Sequence, residues 1–290
     1  MLEEIVIPPG EQPKRLENYL KKRFNVGYVR KLFRKNGVRL NGRRAAPEDS
    51  VRPGDRVQLY IPYEKAKPGA RPAKAIDVVF EDDELLILNK PAGVAVHEGK
   101  GILKRDTVIG QLEAVYRPQH ITPRLVHRLD KETSGLLVAA KSEETAEQLE
   151  RLFETGDVEK EYLALLAGRL PEKRGTVDAP LPGREGRPVT AVTHYKVEGE
   201  FPGATLARVR IDTGRMHQIR LHFAASRHPV VMDDEHGDFA FNKELRKKFG
   251  LKRQFLHAAM IAFAHRGKMR KWTAPLPEDL TRTLERLDKS

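Results

Sequence analysis

The sequence predicts an α+β protein in which a small basic α+β domain precedes a larger domain built on a mixed, largely antiparallel sheet. Short apolar or alternating runs, each bounded by turn residues, outnumber the helical patterns and follow one another closely, as antiparallel strands do. The 290 residues also suffice for two domains of about 150 residues each. We expect domains at 1–62 and 75–290, joined by a linker at 63–74 in which Pro, Gly, Ala and Lys show no periodicity.

The first domain is predicted to contain two helices followed by short strands. Apolar residues recur at helical spacing in KRLENYLKKRF, residues 14–24, and in YVRKLFRKNG, residues 28–37. VRLNGRR, residues 38–44, alternates apolar and basic residues into an Asn-Gly turn. PGDRVQLYIP, residues 53–62, indicates one more strand after a Pro-Gly turn.

The larger domain begins with AIDVVFEDDELLILNKPAGVAVH, residues 75–97, which predicts a strand, an acidic turn, a second strand, a Pro-Gly turn and a third strand. KSEETAEQLERLFETG, residues 141–156, predicts a helix with Ser142 as its N-cap and two acids in its first turn. Further elements are expected as strands at DVEKEYLALLAG and ATLARVRIDTG and as helices at MHQIRLHFAAS and PEDLTRTLERLDK.

The composition excludes several classes of protein. There is no cysteine, which rules out disulfides, thiolate metal sites and a cysteine nucleophile and makes a reducing cytoplasm the expected location. No apolar stretch approaches the roughly 18 residues of a membrane span, so no membrane association is expected. MLEEIVIPPGEQ at the N-terminus opens with acids and lacks a long apolar run, so we do not expect a signal peptide.

Positive charge is concentrated in the N-terminal part of the chain. The formal net charge is +12, and residues 1–75 hold 18 lysines and arginines against 8 acidic residues. On the second predicted helix Arg30 and Arg34 are four residues apart, as are Lys31 and Lys35, and like charges at this spacing repel each other. This segregation indicates a polyanionic partner, most often nucleic acid. The alternative is a basic, well-solvated face that aids solubility.

Two segments hold the first candidates for chemistry. In HRLDKETSG, residues 127–135, Asp130 lies in a dense polar group before a predicted buried strand; its alternative role is to cap backbone N–H groups of a turn. In EKEYLALL, residues 159–166, Lys160 and Tyr162 point to the same side of a strand. The alternative for Tyr162 is an ordinary place in the core.

An arginine within an apolar run is the third candidate. TGRMHQIRLH, residues 213–222, contains Arg215 and Arg220, and Arg220 lies between Ile219 and Leu221. A buried arginine needs a partner, usually a carboxylate, unless it forms a structural salt bridge or reaches solvent. Paired with a loop aspartate, the guanidinium keeps the carboxylate ionised and oriented.

A metal site is not expected from the spacing of the histidines. The enzyme signatures GxSxG and HExxH are absent. His217 and His222 are five residues apart, which does not put them on one face of a helix. We expect these side chains to bond turns and backbone instead. The alternative is a metal-dependent nuclease that uses His217, His222 and Asp233. The possible ligands of this region are His217, His222, His228, Asp233, Asp234, His236 and Asp238.

The larger domain contains five motifs between residue 75 and about 265: EDDELLILNKPAGVAVH, RLVHRLDKETSGLLVAAK, VEKEYLALLAG, DTGRMHQIRLHFAASRHPVVMD and FLHAAMIAF. In sequence, order and spacing they resemble the RluA-type pseudouridine synthases, which isomerise uridine in RNA. RLENYLKKRF, VRKLFRKNGVRLNGRR and VRPGDRVQLYIP resemble the small RNA-binding domain named after ribosomal small-subunit protein four, although NVGYVRK departs from its usual serine- and arginine-rich start. The combination looks like the subgroup acting on large-subunit ribosomal RNA.

The resemblance implies a role for each candidate residue. Asp130 matches the essential aspartate, which attacks the ribose at its anomeric carbon, attacks the base or removes a sugar proton, and Arg220 matches the arginine that pairs with it. Tyr162 matches the tyrosine that stacks on the target base and helps to remove the carbon-5 proton. Arg128 matches the residue that fills the space left by the flipped base, and Lys160 matches a lysine beside the site.

The resemblance implies no metal or organic cofactor. The expected partner is RNA, with ribosomal RNA preferred and transfer RNA as the alternative, and we expect a monomer. After HPVV the family usually reads Gly-Asp-Pro-Leu-Tyr-Gly, whereas MDDEHGD here keeps Asp233 and Gly237 and differs at Met232, Asp234, Glu235 and His236. The alternative from another class is a non-catalytic RNA-binding or ribosome-assembly protein that keeps the fold.

Overall fold

The structure is a computed structural model that describes residues 3–24, 26–60, 76–99, 101–183 and 187–289, without the side chains at positions 26, 27 and 31. The chain divides into two compact units, Met1–Pro72 with Gly99–Gly101 and Ala73–Glu98 with Ile102–Ser290. The linker predicted at 63–74 lies outside the described residues.

The first unit combines two helices with short antiparallel strands. Its elements are β1 (Glu3–Val6), β2 (Lys14–Arg15), α1 (Leu16–Lys21), α2 (Val26–Arg34), β3 (Val38–Leu40), β4 (Arg43–Arg44), β5 (Ser50–Val51) and β6 (Arg56–Leu59). The described strands form a sheet in the order β1-β6-β3-β4, and β2 pairs with β5. Leu16 and Leu20 of α1 pack with Leu32 of α2 and Val57 of β6, all fully buried. The two helices and the Asn-Gly hairpin predicted from the sequence are confirmed.

The basic stripe on α2 is shorter than the sequence predicts. Arg30 and Arg34 are exposed and lie four residues apart on the helix. The helix ends at Arg34, and Asn36 follows with a left-handed φ of 53°. Lys35 is therefore exposed in the turn beyond the helix. Lys35 therefore does not continue the helical face of Lys31, whose side chain the structure does not describe.

The second unit is built on one large sheet. Its strands are β7 (Asp77–Glu81), β8 (Leu85–Lys90), β9 (Arg124–Leu125), β10 (Ser134–Ala140), β11 (Glu159–Ala167), β12 (Arg174–Asp178), β13 (Leu181–Pro182), β14 (Pro188–Val189), β15 (Val192–Phe201), β16 (Ala204–Ile211), β17 (Leu256–His265) and β18 (Lys268–Thr273). Its helices are α3 (Val108–Tyr116), α4 (Glu143–Thr155), α5 (Gln218–Ala225), α6 (Phe239–Phe249) and α7 (Glu278–Asp288).

The large sheet is antiparallel except at one pair. Among the described residues its order is β12-β15-β16-β11-β17-β10-β8-β7, with β18 beside β17 and β9 beside β10. The parallel pair is β10 with β17, where Ser134 lies opposite His257 and Gly135 opposite Ala258. The predicted α+β fold with a largely antiparallel sheet is confirmed.

Helices cover both faces of the central strands, so consecutive residues of β10 are buried. Leu137 points into a core that includes Leu112 of α3 and Phe223 of α5. Leu136 points into the opposite core, with Leu149 of α4. Full burial of such a side chain contributes about 1.5–3 kcal/mol. Strand β10 is therefore a rigid support for the loop that precedes it.

The strand expected at the end of residues 75–97 is absent. The Val94 carbonyl accepts a hydrogen bond from Lys90 Nζ at 2.9 Å. The Ala95 and Val96 carbonyls accept from the first two N–H groups of α3. These bonds take the acceptors that a neighbouring strand would use.

Helices α3 and α6 are additional to the predicted elements. No helix in the described part of the chain is long and apolar enough to cross a membrane.

Candidate active site

A buried lysine fixes one end of the loop that carries Asp130. Lys90, at the end of β8, is fully buried, and its Nζ donates to the carbonyls of Pro91 at 3.1 Å, Val94 at 2.9 Å and Lys131 at 3.1 Å. A buried ammonium group is costly unless such partners surround it. Because Lys131 follows Asp130 directly, these bonds set the position of the Asp130 backbone.

Side chains from the segment that enters β17 fix the other end of the loop. Gln254 Nε2 donates to Thr133 Oγ1 at 2.6 Å, and Arg253 Nη1 donates to Ser134 Oγ at 3.3 Å. Ser134 Oγ also shares a hydrogen bond of 2.9 Å with His257 Nδ1. Thr133 and Ser134 therefore shape the turn that precedes β10.

Gly135 allows β10 to approach β17 directly after the loop. Its φ is +112°, and a Cβ at this position would lie 2.2 Å from the Ala258 carbonyl oxygen. Only glycine fits both the conformation and the space. The close approach keeps the loop and β17 in register.

Arg220 of α5 contacts three carboxylates. The residue is 4% exposed. Its Nε and Nη2 donate to the two oxygens of Asp233 at 2.6 and 2.8 Å, which is bidentate geometry. Its Nη1 donates to Asp130 Oδ2 at 3.1 Å, and Nη2 also contacts Glu235 Oε2 at 3.2 Å. The structure thus brings Asp130 and Arg220 into direct contact.

Asp233 and Arg220 hold each other in the charged state. Burial by itself lowers the pKa of Arg220 and raises that of Asp233. Their mutual hydrogen bonds and opposite charges outweigh burial, so the pKa of Arg220 is raised and that of Asp233 is lowered. The backbone N–H groups of Glu235 and His236 also donate to Asp233 Oδ1, at 3.0 and 2.9 Å. Asp130 therefore meets a permanent cation.

Tyr162 lines the same small cavity as Asp130 and Arg220. It lies on β11 at a bulge against β17 and is 8% exposed. Burial, and to a smaller extent the charge of Asp130, raises the pKa of the Tyr162 hydroxyl. The phenol is therefore protonated at neutral pH, and the ring offers a neutral, apolar surface beside the Asp130 carboxylate.

A larger cleft of about 500 Å³ adjoins this cavity, and Arg128, Lys160 and Tyr162 line it. Arg128 is exposed and also lines the smaller cavity. Lys160 is 6% exposed, and its Nζ lies 5.7 Å from the centroid of the Phe153 ring. Burial lowers the pKa of Lys160, although Asp212 opposes this effect. Arg128 thus lines the cavity of Asp130, and Lys160 lines only the adjoining cleft.

His127 supports β10. Its Nε2 accepts the Val138 N–H at 2.9 Å, and its ring stacks on Phe153 with 4.5 Å between centroids. Burial, followed by the charge of Lys160, lowers the pKa of His127 to about 3. The ring is neutral near pH 7, with its acceptor nitrogen bound to backbone. These contacts give His127 a structural role.

The metal-ligand set considered as an alternative is not assembled. His222 is 1% exposed, and its ring bonds Thr193 Oγ1 at 2.9 Å and the Ala179 carbonyl at 3.0 Å. Asp233 is engaged by Arg220. His217 Nε2 lies 3.6 Å from Asp130 Oδ1, and neither ring nitrogen of His222 contacts His217 or Asp233 in the described residues.

Three comparisons with known proteins bear on this site. The chain matches the family described as RNA pseudouridylate synthase over residues 84–225. It is 36% identical to the ribosomal large subunit pseudouridine synthase C of Salmonella typhi over 308 aligned positions, which cover 97% of this chain and 95% of that protein. The chain belongs to the RNA pseudouridylate synthase family. The resemblance of the larger domain's motifs to pseudouridine synthases is confirmed, and with it an isomerase that modifies RNA.

Other members of the family agree in sequence and in fold. The pseudouridine synthase C of Escherichia coli (strain K12) is 35% identical over 310 positions, covering 98% of this chain and 96% of that protein. Human RNA pseudouridylate synthase domain containing 4 matches with a TM-score of 0.63 and 25% identity, over 73% of this chain and 92% of that one. Human RNA pseudouridylate synthase domain containing 1 matches with a TM-score of 0.58 and 26% identity, over 71% of this chain and 85% of that one.

Reasoning from the sequence missed Lys90 as part of this pseudouridylate synthase site, and it missed the contacts of Asp233 and Glu235 with Arg220. Lys90 is a lysine at the end of an apolar strand, and Asp233 follows the apolar run PVVM, so both carry the signal of a buried charge that needs a partner. Glu235 is an exposed acid in a polar loop and carries no such signal. Its contact with Arg220 follows only from the folded loop.

Proposed function

We propose that this protein converts specific uridines of large-subunit ribosomal RNA to pseudouridine, with Asp130 as the essential catalytic residue. The names and nearly full coverage of the Salmonella typhi and Escherichia coli relatives support ribosomal RNA as the substrate. The observation that carries the assignment of Asp130 is its ion pair with buried Arg220, in a cavity that Tyr162 also lines.

Asp130 supplies a charged, oriented and accessible carboxylate. Its Oδ2 accepts the hydrogen bond from Arg220, and the side chain remains 20% exposed. Attack on the anomeric carbon, attack on the base and removal of a sugar proton all begin from such a carboxylate. The fixed guanidinium orients the group without closing it off from the nucleotide.

Tyr162 supplies the surface for the extruded base. Taking a base out of the RNA stack costs a few kcal/mol, and stacking on an aromatic ring returns about 1–3 kcal/mol. Because the pKa of Tyr162 is raised, the ring meets the uracil as a neutral phenol. Any removal of the carbon-5 proton by this residue therefore requires the hydroxyl to lose its own proton first.

Arg128 and Lys160 contact the RNA around the reacting nucleotide. Arg128 is exposed at the edge of both cavities and fills the space in the RNA that the flipped base leaves. Lys160 lies along the adjoining cleft and contributes positive charge near the backbone. Together they hold the RNA while Asp130 acts on the sugar or the base.

Residues 1–62 are an RNA-binding domain like that of ribosomal small-subunit protein four, joined by the linker at 63–74 to a catalytic domain at 75–290. The exposed Arg30, Arg34 and Lys35 support this part of the proposal. With Lys31 they bind phosphates and direct the catalytic domain to its site. The enzyme acts in the cytoplasm as a monomer and without a cofactor.

Mapping pseudouridines by carbodiimide treatment and primer extension, in cells with and without this gene, tests the proposed substrate. We expect the loss of one or more stops in large-subunit ribosomal RNA and their return when the wild-type gene is restored. The Asp130→Asn gene should not restore them. Stops lost only from transfer RNA, or restored by Asp130→Asn, would overturn the proposal.

A further inference from the structure

Three ligand-type side chains meet beside the active-site cavity. His217 Nδ1 lies 3.2 Å from His236 Nε2 and 3.5 Å from Glu235 Oε2, and His236 Nε2 lies 3.8 Å from Glu235 Oε1. One ligand atom from each residue lies within 4.8 Å of the others. Bonds of about 2.0–2.2 Å from zinc to nitrogen and oxygen place neighbouring tetrahedral ligands about 3.3–3.5 Å apart. These atoms already stand at nearly that separation.

The loop that carries Glu235 and His236 is held in place before any ion binds. Asp233 Oδ1 accepts the backbone N–H groups of both residues, and Asp233 is itself held by Arg220. Asn242 Oδ1 accepts the Met232 N–H at 2.7 Å, and its Nδ2 donates to the Asp233 carbonyl at 2.9 Å. A site on such a loop requires little ordering when it takes up a metal ion.

Polar groups also stand on the outer side of two of these ligands. A ligating histidine usually donates its other ring N–H to a carboxylate, and Asp130 Oδ1 stands on that side of His217, 3.6 Å from Nε2 and just beyond hydrogen-bond distance. A ligating carboxylate is usually hydrogen-bonded in turn, and Glu235 Oε2 lies 3.2 Å from Arg220 Nη2. Glu235 is 56% exposed, which leaves a path for the ion from solvent.

We propose that His217, Glu235 and His236 form a binding site for a divalent transition-metal ion, with Zn²⁺ as the best match, and that its occupation inhibits the enzyme. Two imidazoles and one carboxylate with an open position suit zinc. Mg²⁺ prefers an oxygen shell and is not expected to compete. The site binds metal whatever RNA the enzyme modifies, whereas inhibition rests on the proposed function.

Inhibition follows from the position of the ion. His217 lines the cavity with Asp130, Tyr162 and Arg220. A bound divalent cation places positive charge beside the Asp130 carboxylate, whose Oδ1 lies 3.6 Å from His217 Nε2. It also obstructs the entrance through which the nucleotide reaches Asp130. The ion is therefore a regulator of access and takes no part in the reaction.

Calorimetric titration of ZnCl₂ into the full-length, metal-free protein tests the site directly. The wild type should bind one ion with micromolar or tighter affinity. His236→Gln and Glu235→Gln should each weaken this binding more than about 10-fold. His194→Ala is the matched control, because His194 pairs with Asp212 at 2.8 Å outside the proposed site, and it should bind Zn²⁺ like the wild type.

Each outcome decides a separate part of the proposal. Equal weakening in His194→Ala, or none in His236→Gln and Glu235→Gln, would overturn the site even if the enzyme is fully active. Circular dichroism must show that the variants are folded. Co²⁺ in place of Zn²⁺ should give the intense visible absorption of tetrahedral coordination in the wild type and in His194→Ala, but not in His236→Gln or Glu235→Gln.

The inhibitory effect is measured as the ratio of activity with and without Zn²⁺ for each protein, on RNA checked for integrity. The wild type and His194→Ala should lose most of their activity in Zn²⁺ and none in equal Mg²⁺, and excess chelator should restore it. The double variant E235L/H236Y, which carries the family's usual residues, should resist. If the wild type binds Zn²⁺ but Zn²⁺ inhibits E235L/H236Y as strongly as the wild type, the inhibitory role is refuted. The metal-binding site itself would then still stand.

Discussion

Arg220 Nη1 donates a hydrogen bond to Asp130 Oδ2 across 3.1 Å, although the two residues are 90 positions apart in the chain. Two further N–H groups of the same guanidinium bind Asp233, whose side chain is fully buried. The orientation of Arg220 toward Asp130 is therefore set from behind by Asp233. Asp233 is a positioning residue for the Asp130–Arg220 pair.

Asp233→Asn should destabilise the second unit and lower activity. The substitution leaves Arg220 buried without its bidentate partner, and breaking a buried pair in this way costs about 3–5 kcal/mol. Urea unfolding followed by fluorescence of Trp272, the only tryptophan in the sequence, measures the change. Trp272 packs on Phe80 and Phe263, so its signal reports on this unit.

Glu278→Gln is the control for the loss of one carboxylate charge. Glu278 pairs with Arg282 on the surface of α7, so the change should be below about 1 kcal/mol. A cost for Asp233→Asn no larger than that of Glu278→Gln would show that Asp233 does not hold Arg220.

Gly135→Ala should be more damaging than another substitution of a left-handed glycine. A Cβ at Gly135 would lie 2.2 Å from the Ala258 carbonyl oxygen, whereas Gly250, with φ +77°, has nothing within 4 Å of its Cβ position. Gly250→Ala should cost about 1–2 kcal/mol from backbone strain alone. Gly135→Ala should cost more and displace the Asp130 loop, so activity should fall in the protein that remains folded. Equal effects of the two substitutions on stability and activity would contradict the close approach of β10 to β17.

Protonation of His127 in mild acid should lower the free energy of unfolding. Its folded-state pKa of about 3 lies below the ordinary value of about 6.5, so the unfolded chain binds more protons between these two pH values. The contribution of neutral His127 to the free energy of unfolding is therefore complete above about pH 6.5 and is lost as the pH falls toward 3. His127→Gln keeps an acceptor for the Val138 N–H, so its stability should fall less from about pH 7 to 4 than that of the wild type. The exposed His120 is the control, and His120→Gln should behave like the wild type. Parallel curves for all three proteins would contradict burial of a neutral His127.

The N-terminal unit should supply much of the salt dependence of RNA binding. Neutralising Arg30, Arg34 and Lys35 together as glutamines should lower the slope of log affinity against log salt by about 2, because about 0.7 counterion is released per phosphate contact on single strands. The triple variant of Arg246, Lys247 and Lys248, which are exposed on α6, removes the same charge from the other unit. An equal drop in both triple variants would count against residues 1–62 as the RNA anchor.

The motifs predicted the contact between Asp130 and Arg220, but not what supports it. Hydrophobic periodicity and turn residues are local, so they located β8, β10, β11 and α5 correctly. The bonds from Lys90 to Lys131, from Gln254 to Thr133 and from Arg220 to Asp233 depend on long-range pairing, which local patterns do not encode. The prediction of a strand at Val94–His97 was wrong for the same reason. The carbonyls of Val94, Ala95 and Val96 accept hydrogen bonds from Lys90 and α3, which local patterns do not reveal.

The central claim, that Asp130 carries the reaction, is tested most directly by release of tritium from carbon 5 of uridine in a ribosomal RNA transcript. The wild type should release tritium, and Asp130→Asn should be slower by at least about 10⁴-fold while binding the transcript with similar affinity. Asp178→Asn, which changes an exposed aspartate on β12, is the matched control and should release tritium like the wild type. Tritium release by Asp130→Asn at the wild-type rate would contradict the account.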